Sequence, residues 1–257
     1  MNTDHSQEEL EFSIGRRLFY FWAMAWGCVV TVVSTSGYLL SRLIIHNTRF
    51  DHSGFFHWWN AFWARSMFLG TGIRIERRQR ADLDCDMSYV FVSNHQILLD
   101  IPLMALAISC PFGYVAKSDL ARVPFLGAAL KKSPSVFVDP SNPRKSYESI
   151  KTAGEHIRNG TSVIVFPEGS RTYQKELIPF QRGAFLLALE AGVPIVPITI
   201  LDAYRLFNER TRLARPGIVR VVVGKPIPLD GLSRADLPEL MDKVRDEIVS
   251  QFDFSID

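Results

Sequence analysis

The run Asn94-His95-Gln96-Ile97-Leu98-Leu99-Asp100 places an imidazole and a carboxylate five positions apart, directly after the apolar segment Tyr89-Val90-Phe91-Val92. Histidine titrates near neutrality and can take a proton from a hydroxyl, while a neighbouring aspartate fixes the ring's tautomer and stabilises the imidazolium. Inside one helix this spacing would put the two side chains on different faces, so the pair can meet only across a strand, a turn and the start of a helix. Pro102 fits only in a first helical turn, which predicts a helix beginning near Asp100 with that residue as N-cap. A strand-end histidine and a helix-capping aspartate would give the same residues without chemistry.

A second polar island follows another β-like run. Phe166-Pro167-Glu168-Gly169-Ser170-Arg171-Thr172 combines turn residues with opposed charges directly after Ser162 to Val165. Two polar loops at strand ends suggest one site. These residues resemble the His-x4-Asp motif and the Glu-Gly-Thr-Arg-Ser-like motif of the glycerolipid acyltransferases, in the same order and at the same spacing. Lys117-Ser118-Asp119-Leu120, with Arg122, Pro124 and Gly127, is similar to that family's substrate-binding segment, and Val193-Pro194-Ile195-Val196-Pro197 to its last motif. The resemblance covers roughly residues 70–225. Asp119 stands where the family usually has Glu, Ser170 and Thr172 exchange the usual hydroxyl residues, and Pro140 follows Asp139 where Arg is common.

The resemblance implies acyl transfer from a thioester to a lysophosphatidate-like acceptor. His95 would take the acceptor's hydroxyl proton, with Asp100 orienting the ring. Arg171 and Lys117 would hold the phosphate, the first as a bidentate fork and the second as a point charge. Gly169 would let the backbone approach closely, and Glu168 would either orient Arg171 or contact the glycerol hydroxyl. No bound cofactor or metal is expected, because the acyl donor, acyl-CoA or an acyl carrier protein thioester, is itself a substrate. A serine hydrolase is disfavoured, since no Gly-x-Ser-x-Gly elbow occurs in the chain.

Positioning elements can be read around these loops. Short β-branched or aromatic runs at 72–77, 89–92, 113–116, 135–138, 162–166, 195–200 and 218–223 are the strand candidates. Helices are expected over 101–108, 143–158, 182–191 and 234–252, with Gly160 and Gly192 just past two of their ends. This alternation predicts an α/β fold with a largely parallel central sheet flanked by helices, its strand-end loops forming the site. It would occupy residues 71–257, preceded by a membrane-associated helical segment over 1–70.

Residues 18–41 carry no charge, long enough for a bilayer span, yet Thr31, Ser34, Thr35, Ser36 and Gly37 interrupt them. Arg16 and Arg17 on one side face Arg42 and Arg49 on the other, so flanking charge gives no orientation. Aromatic residues at helical intervals follow, among them Trp58, Trp59 and Trp63, of the kind that sits at headgroup level. Together they predict a helical hairpin entering one leaflet or lying in the interface, with the catalytic domain on the cytoplasmic face of the inner or cell membrane.

Composition agrees with one domain and an attached segment. The 257 residues are 47% hydrophobic with a formal net charge of +2, which gives no support for a nucleic-acid binder. Charge is local: Arg205, Arg210, Arg212, Arg215 and Arg220 are opposed within that span only by Glu209, and could attract anionic lipid, coenzyme A phosphates or an acidic carrier protein. Cys28, Cys85 and Cys110 show no C-x-x-C spacing, so neither a disulfide framework nor a zinc site is expected.

Overall fold

The computed structural model describes residues 2–45, 52–139 and 143–252, with side chains placed for 13–44, 54–139 and 150–252; Arg49 and Pro140 lie outside the described residues. Seven strands form one sheet in the order β1-β9-β6-β2-β5-β3-β4. They are β1 (Ile73–Gln79), β2 (Val90–Ser93), β3 (Phe112–Lys117), β4 (Val136–Val138), β5 (Ser162–Val165), β6 (Ile195–Leu201) and β9 (Gly217–Val223). All seven expected strands are present, each shifted by no more than two residues at either end. Within the sheet every pairing is parallel except β6 with β9. Crossover helices α3 (Asp100–Ala107), α5 (Pro143–Arg158) and α6 (Gly183–Ala191) return the chain to the same end of the sheet before β3, β5 and β6, so that these strands run parallel to β2. Between β6 and β9 there is instead a small hairpin, β7 (Phe207–Asn208) with β8 (Leu213–Ala214), so the chain comes back antiparallel.

Burial explains why these strands read as continuous apolar runs. Val90, Phe91, Val92, Ile195, Val196, Ile198 and Ile200 are all inaccessible to solvent, as in a parallel sheet covered on both faces. The pleat sorts them into two cores. Phe91, Ile164, Val196 and Ile198 face the layer made with the amino-terminal helices, while Val90, Val92, Val163 and Ile195 face α5, α6 and α7 (Leu237–Val249). A short helix α4 (Leu126–Lys131), which the sequence pattern did not announce, lies between β3 and β4.

The amino-terminal pair is α1 (Asn2–Ile45) and α2 (His52–Thr71). Indole N–H groups bolt them together. Trp22 donates to the Gly70 carbonyl, Trp26 to Ser66, Trp63 to the Thr31 hydroxyl and Trp59 to the Ser34 carbonyl, at 2.8–3.1 Å. Partner numbers fall along α2 as they rise along α1, so the helices are antiparallel. Thr31 and Ser34, which made the stretch look too polar for lipid, therefore face protein. At Gly70 an added Cβ would lie 2.1 Å from the Trp26 ring, so only glycine fits.

One side of α1 also packs on the α/β unit. Tyr20 meets Phe207 with ring centroids 5.1 Å apart, and the Tyr38 hydroxyl donates to the Lys132 carbonyl at 2.8 Å. Those contacts are 18 residues apart, about 27 Å along the helix. The outer side leaves Leu18, Phe21, Trp22, Val29, Val33 and Leu40 exposed. By length and composition Ser13–Ile44 could cross a membrane, with 28% of its most apolar window buried.

The expectation of three unlinked cysteines is corrected. Cys85, in the loop between β1 and β2, is bonded to Cys110, just past α3, with Cα atoms 5.0 Å apart, while Cys28 is free and exposed. The pairing follows from the strand–helix crossover, which brings the carboxyl end of α3 back beside the chain entering β2; sequence spacing carries no such signal. Closing a loop of 25 residues should stabilise the oxidised protein by about 3 kcal/mol. Reductant should lower the Tm of protein purified without it by several degrees. Cys85→Ser should show the lower Tm from the start and no further response, read by differential scanning fluorimetry with and without reductant.

Candidate active site

Strands β2, β5 and β3 lie side by side and parallel, so the loops that follow them leave the same edge of the sheet. Val92 pairs with Val165, and three more residues along each chain put His95 level with Glu168. The two loops are in contact there: the His95 backbone N–H donates to Oε1 of Glu168 at 2.7 Å. On the other flank Asn94 clips the turn to β6, its amide donating to the Ile200 carbonyl at 3.0 Å and its oxygen accepting from the Ile200 N–H at 2.7 Å.

The Asp100 side chain has no solvent exposure. Its Oδ2 accepts the N–H groups of Gln96 and Ile97 at 2.5 and 2.9 Å and lies 2.8 Å from Nδ1 of His95. Leu99 holds the N-cap position of α3 and Asp100 is the first helical residue, so Asp100 does not cap the helix; its carboxylate turns back on the preceding loop. That reversal brings together two side chains five residues apart. An acceptor at Nδ1 places the ring proton there and the lone pair on Nε2. Among the described residues Nε2 has no hydrogen-bond partner, and the ring, 14% exposed, stacks on Phe166 at 4.3 Å.

In the second loop Glu168 is 2% exposed, and its Oε2 accepts the Ile178 N–H at 3.0 Å. Both oxygens thus hold backbone amides, and Glu168 does not reach Arg171. Burial raises its carboxyl above the usual glutamate range, against the opposing pull of the amides of His95 and Ile178. Thr172 and Tyr173 donate their N–H groups to the carbonyls of His95 and Gln96 at 2.9 and 3.0 Å, stitching the two loops in parallel. Gly169 has φ 69°, and an added Cβ would lie 2.4 Å from the Gln181 side chain. The close approach is by the protein itself.

Arg171 pairs with Glu209, Nη1 to Oε1 at 2.7 Å, and lies 5.8 Å above the Tyr173 ring. The same Oε1 accepts the Leu98 N–H at 2.8 Å. Glu209, in the β7–β8 turn and only 13% exposed, therefore ties the His95–Asp100 turn to the arginine. Sequence reading missed this role; the one signal was that Glu209 is the lone carboxylate among clustered arginines. Lys117 ends β3 and is exposed at the same edge, two strands from β2 and thus roughly 10 Å away. The structure brings His95, Asp100, Glu168, Gly169 and Arg171 into one contiguous group, with Lys117 at its margin.

The family model described as Acyltransferase matches residues 73–201, half of the chain. The chain belongs to the acyltransferase family. The match runs from β1 through β6 and includes both loops; the hairpin carrying Glu209 follows it. Among relatives, the 1-acyl-sn-glycerol-3-phosphate acyltransferase of Saccharomyces cerevisiae is 33% identical over 63% of this chain and 54% of its own. The alpha form from Homo sapiens is 32% identical over 70% of this chain and 64% of its own. The chloroplastic LPAT1 of Arabidopsis thaliana is 31% identical over 97% of this chain and 69% of its own. The chain spans between half and two thirds of the length of the first two. The crystal structure of the 1-acyl-sn-glycerophosphate (LPA) acyltransferase PlsC from Thermotoga maritima superposes with a TM-score of 0.79 at 22% identity, covering 95% of this chain and 99% of that one, and shares its fold.

The raised carboxyl of Glu168 has a consequence for stability. A folded-state pKa above the unfolded value means that the folded protein binds the proton more tightly, so this contribution is complete below the ordinary glutamate pKa and falls as pH rises through the raised one. Glu168→Gln has no proton to lose. The Tm advantage of the unsubstituted protein over Glu168→Gln should therefore shrink as pH rises from about 4 to about 7. A gap that widens instead would mean that the two amide bonds outweigh burial.

Proposed function

We propose that this chain transfers a fatty acyl group from an acyl thioester to the free sn-2 hydroxyl of 1-acyl-glycerol 3-phosphate, making phosphatidic acid for phospholipid biosynthesis. The observation that carries this reading is the Nε2 atom of His95, which has no partner among the described residues while Nδ1 is held at 2.8 Å by a buried carboxylate, next to an arginine at the mouth of the site. The names of the relatives supply the substrate. Nε2 takes the proton of the acceptor hydroxyl as its oxygen attacks the thioester carbonyl. The tetrahedral intermediate then collapses, the C–S bond breaks, and the departing thiolate receives the proton from the imidazolium. A positioned base contributes about 10²–10⁴-fold, and holding the acceptor in line supplies much of the remainder.

In this reading Arg171 and Lys117 hold the acceptor phosphate, Asp100 orients the base, and Glu168 and Gly169 fix the loop from which Arg171 projects. The donor is acyl-CoA or an acyl carrier protein thioester, and the reaction as written consumes no cofactor. Ser170, the serine in the second loop, is exposed and makes no hydrogen bond to His95 that would activate it as a hydrolase nucleophile, which favours direct transfer.

The membrane reading rests on α1, which packs against protein from Tyr20 to Tyr38 on one side and exposes Leu18, Val29 and Val33 on the other. A helix held along the domain in this way suits insertion of its outer face into one leaflet, with the α1–α2 pair lying in the interface. A cytoplasmic placement of the catalytic domain goes with an acyl thioester donor and with the free Cys28. The Cys85–Cys110 bridge is the observation against it, and its redox state in protein trapped by alkylation inside cells decides the side.

Four substitutions test these assignments. Full-length protein supplied with lysophosphatidate and an acyl-CoA should give diacyl product; His95→Ala should fold normally and lose at least about 10²-fold in kcat. Release of free fatty acid instead would mean a hydrolase. Arg171→Ala should raise the KM for lysophosphatidate by about 10- to 100-fold and have much less effect with a lysolipid lacking the terminal phosphate. Glu209→Ala should act largely through Arg171, so that adding it to Arg171→Ala costs little more in a double-mutant cycle on kcat/KM. Val33→Asp, at a position 66% exposed, should leave the Tm unchanged yet reduce flotation with liposomes. Unchanged flotation would remove the outer face of α1 from the membrane contact.

A further inference from the structure

Basic residues collect a second time where α1 meets the β7–β8 hairpin. Arg16, Arg205 and Arg215, together with Tyr204, Asn208 and Thr211, line an open cavity of about 360 Å³. Every charged residue in its wall is an arginine. The Nε atoms fix two of the guanidinium groups: Arg205 Nε donates to the Tyr204 hydroxyl at 3.1 Å and pairs with Asp202 at 3.3 Å, and Arg215 Nε donates to the Arg205 carbonyl at 3.3 Å. Their terminal amino groups have no hydrogen-bond partner among the described residues. Planar forks so arranged suit the paired oxygens of a phosphate.

This cavity is not the site occupied by His95. Glu209 turns its carboxylate to Leu98 and Arg171, whereas Asn208 and Thr211 on either side of it in the same turn line the cavity. Its position along α1 indicates where the phosphate comes from. Arg16 sits at the end of the helix where the exposed apolar residues begin, with Ile14, Leu18, Phe21 and Trp22 all about half-exposed or more. If that face enters lipid, Arg16 and the hairpin lie at headgroup depth.

We propose that the cavity between α1 and the β7–β8 hairpin binds the phosphate of an anionic phospholipid headgroup, separately from the acceptor phosphate held at Arg171. This inference rests on the membrane-interface reading above. The bound headgroup fixes the depth and rotation of the domain on the bilayer, so that the strand-end loops face a single-chain acceptor in the same leaflet.

The test uses the full-length chain in dodecyl maltoside, titrated calorimetrically with dihexanoyl phosphatidylglycerol or dihexanoyl phosphatidylcholine below their micelle concentrations, where no lipid surface exists. Saturable binding of one phosphatidylglycerol per chain is expected, at least about ten-fold tighter than phosphatidylcholine. Arg205→Gln/Arg215→Gln should weaken it at least about ten-fold, whereas the charge-matched Arg74→Gln/Arg182→Gln should change it less than about two-fold. Transfer to a short-chain soluble lysophosphatidate should be unchanged in both variants. Absence of saturable binding, or equal loss in the charge-matched variant, overturns the site. A raised KM for acyl-CoA in Arg205→Gln/Arg215→Gln with lipid binding intact also overturns it, assigning the cavity to the donor's phosphates. Intact transfer with failed lipid binding sinks the cavity alone; no transfer by the unsubstituted protein sinks the catalytic reading instead.

Discussion

A carboxylate with no access to water dominates the architecture of the site. Asp100 gathers two backbone N–H groups and an imidazole nitrogen around a single oxygen, and removing any of them would leave a buried charge under-compensated. The turn from His95 to Asp100 therefore has little conformational choice. The orientation of the histidine follows from satisfying the aspartate, and Phe166 closes over the ring on one face.

The same device is used twice more. Glu168 binds the amides of His95 and Ile178, and Glu209 binds the amide of Leu98 together with the Arg171 guanidinium. All three carboxylates are largely or wholly removed from solvent; Asp100 fixes its own turn, while Glu168 and Glu209 hold together segments that are far apart along the chain. Charge-assisted bonds from amides to carboxylates are stronger than neutral ones, and their strength here goes into loop geometry. Arg171 and Lys117 are left facing outward from the edge of the sheet, where an anionic acceptor would arrive. Electrostatics thus divides the work: buried carboxylates build the loops, and partly exposed cations remain at the edge of the sheet.

The amino-terminal helices extend this arrangement to a surface. Four indole N–H groups lock α1 to α2, and Tyr20 and Tyr38 lock α1 to the α/β unit. Among the described residues, none covers the apolar side chains on the other side of α1. Because α1 is packed along the domain, whatever contacts its outer side is held at a fixed orientation relative to the strand-end loops.

The sequence by itself determined the seven strands, the main crossover helices and the place of the two polar loops at strand ends, because these depend on local rules. Apolar runs bounded by turn residues become buried parallel strands, and Pro102 permits a helix only where α3 begins. Tertiary structure decided the rest. The antiparallel placement of β9, the Cys85–Cys110 bridge and the pairing of Arg171 with Glu209 rather than Glu168 depend on where the chain returns in space, which no periodicity encodes. Likewise, composition gave α1 enough apolar length to cross a bilayer, but only packing showed that one side of it is already occupied by the protein. Burial is a property of the assembled layers, and a side chain's type limits its partners without naming them.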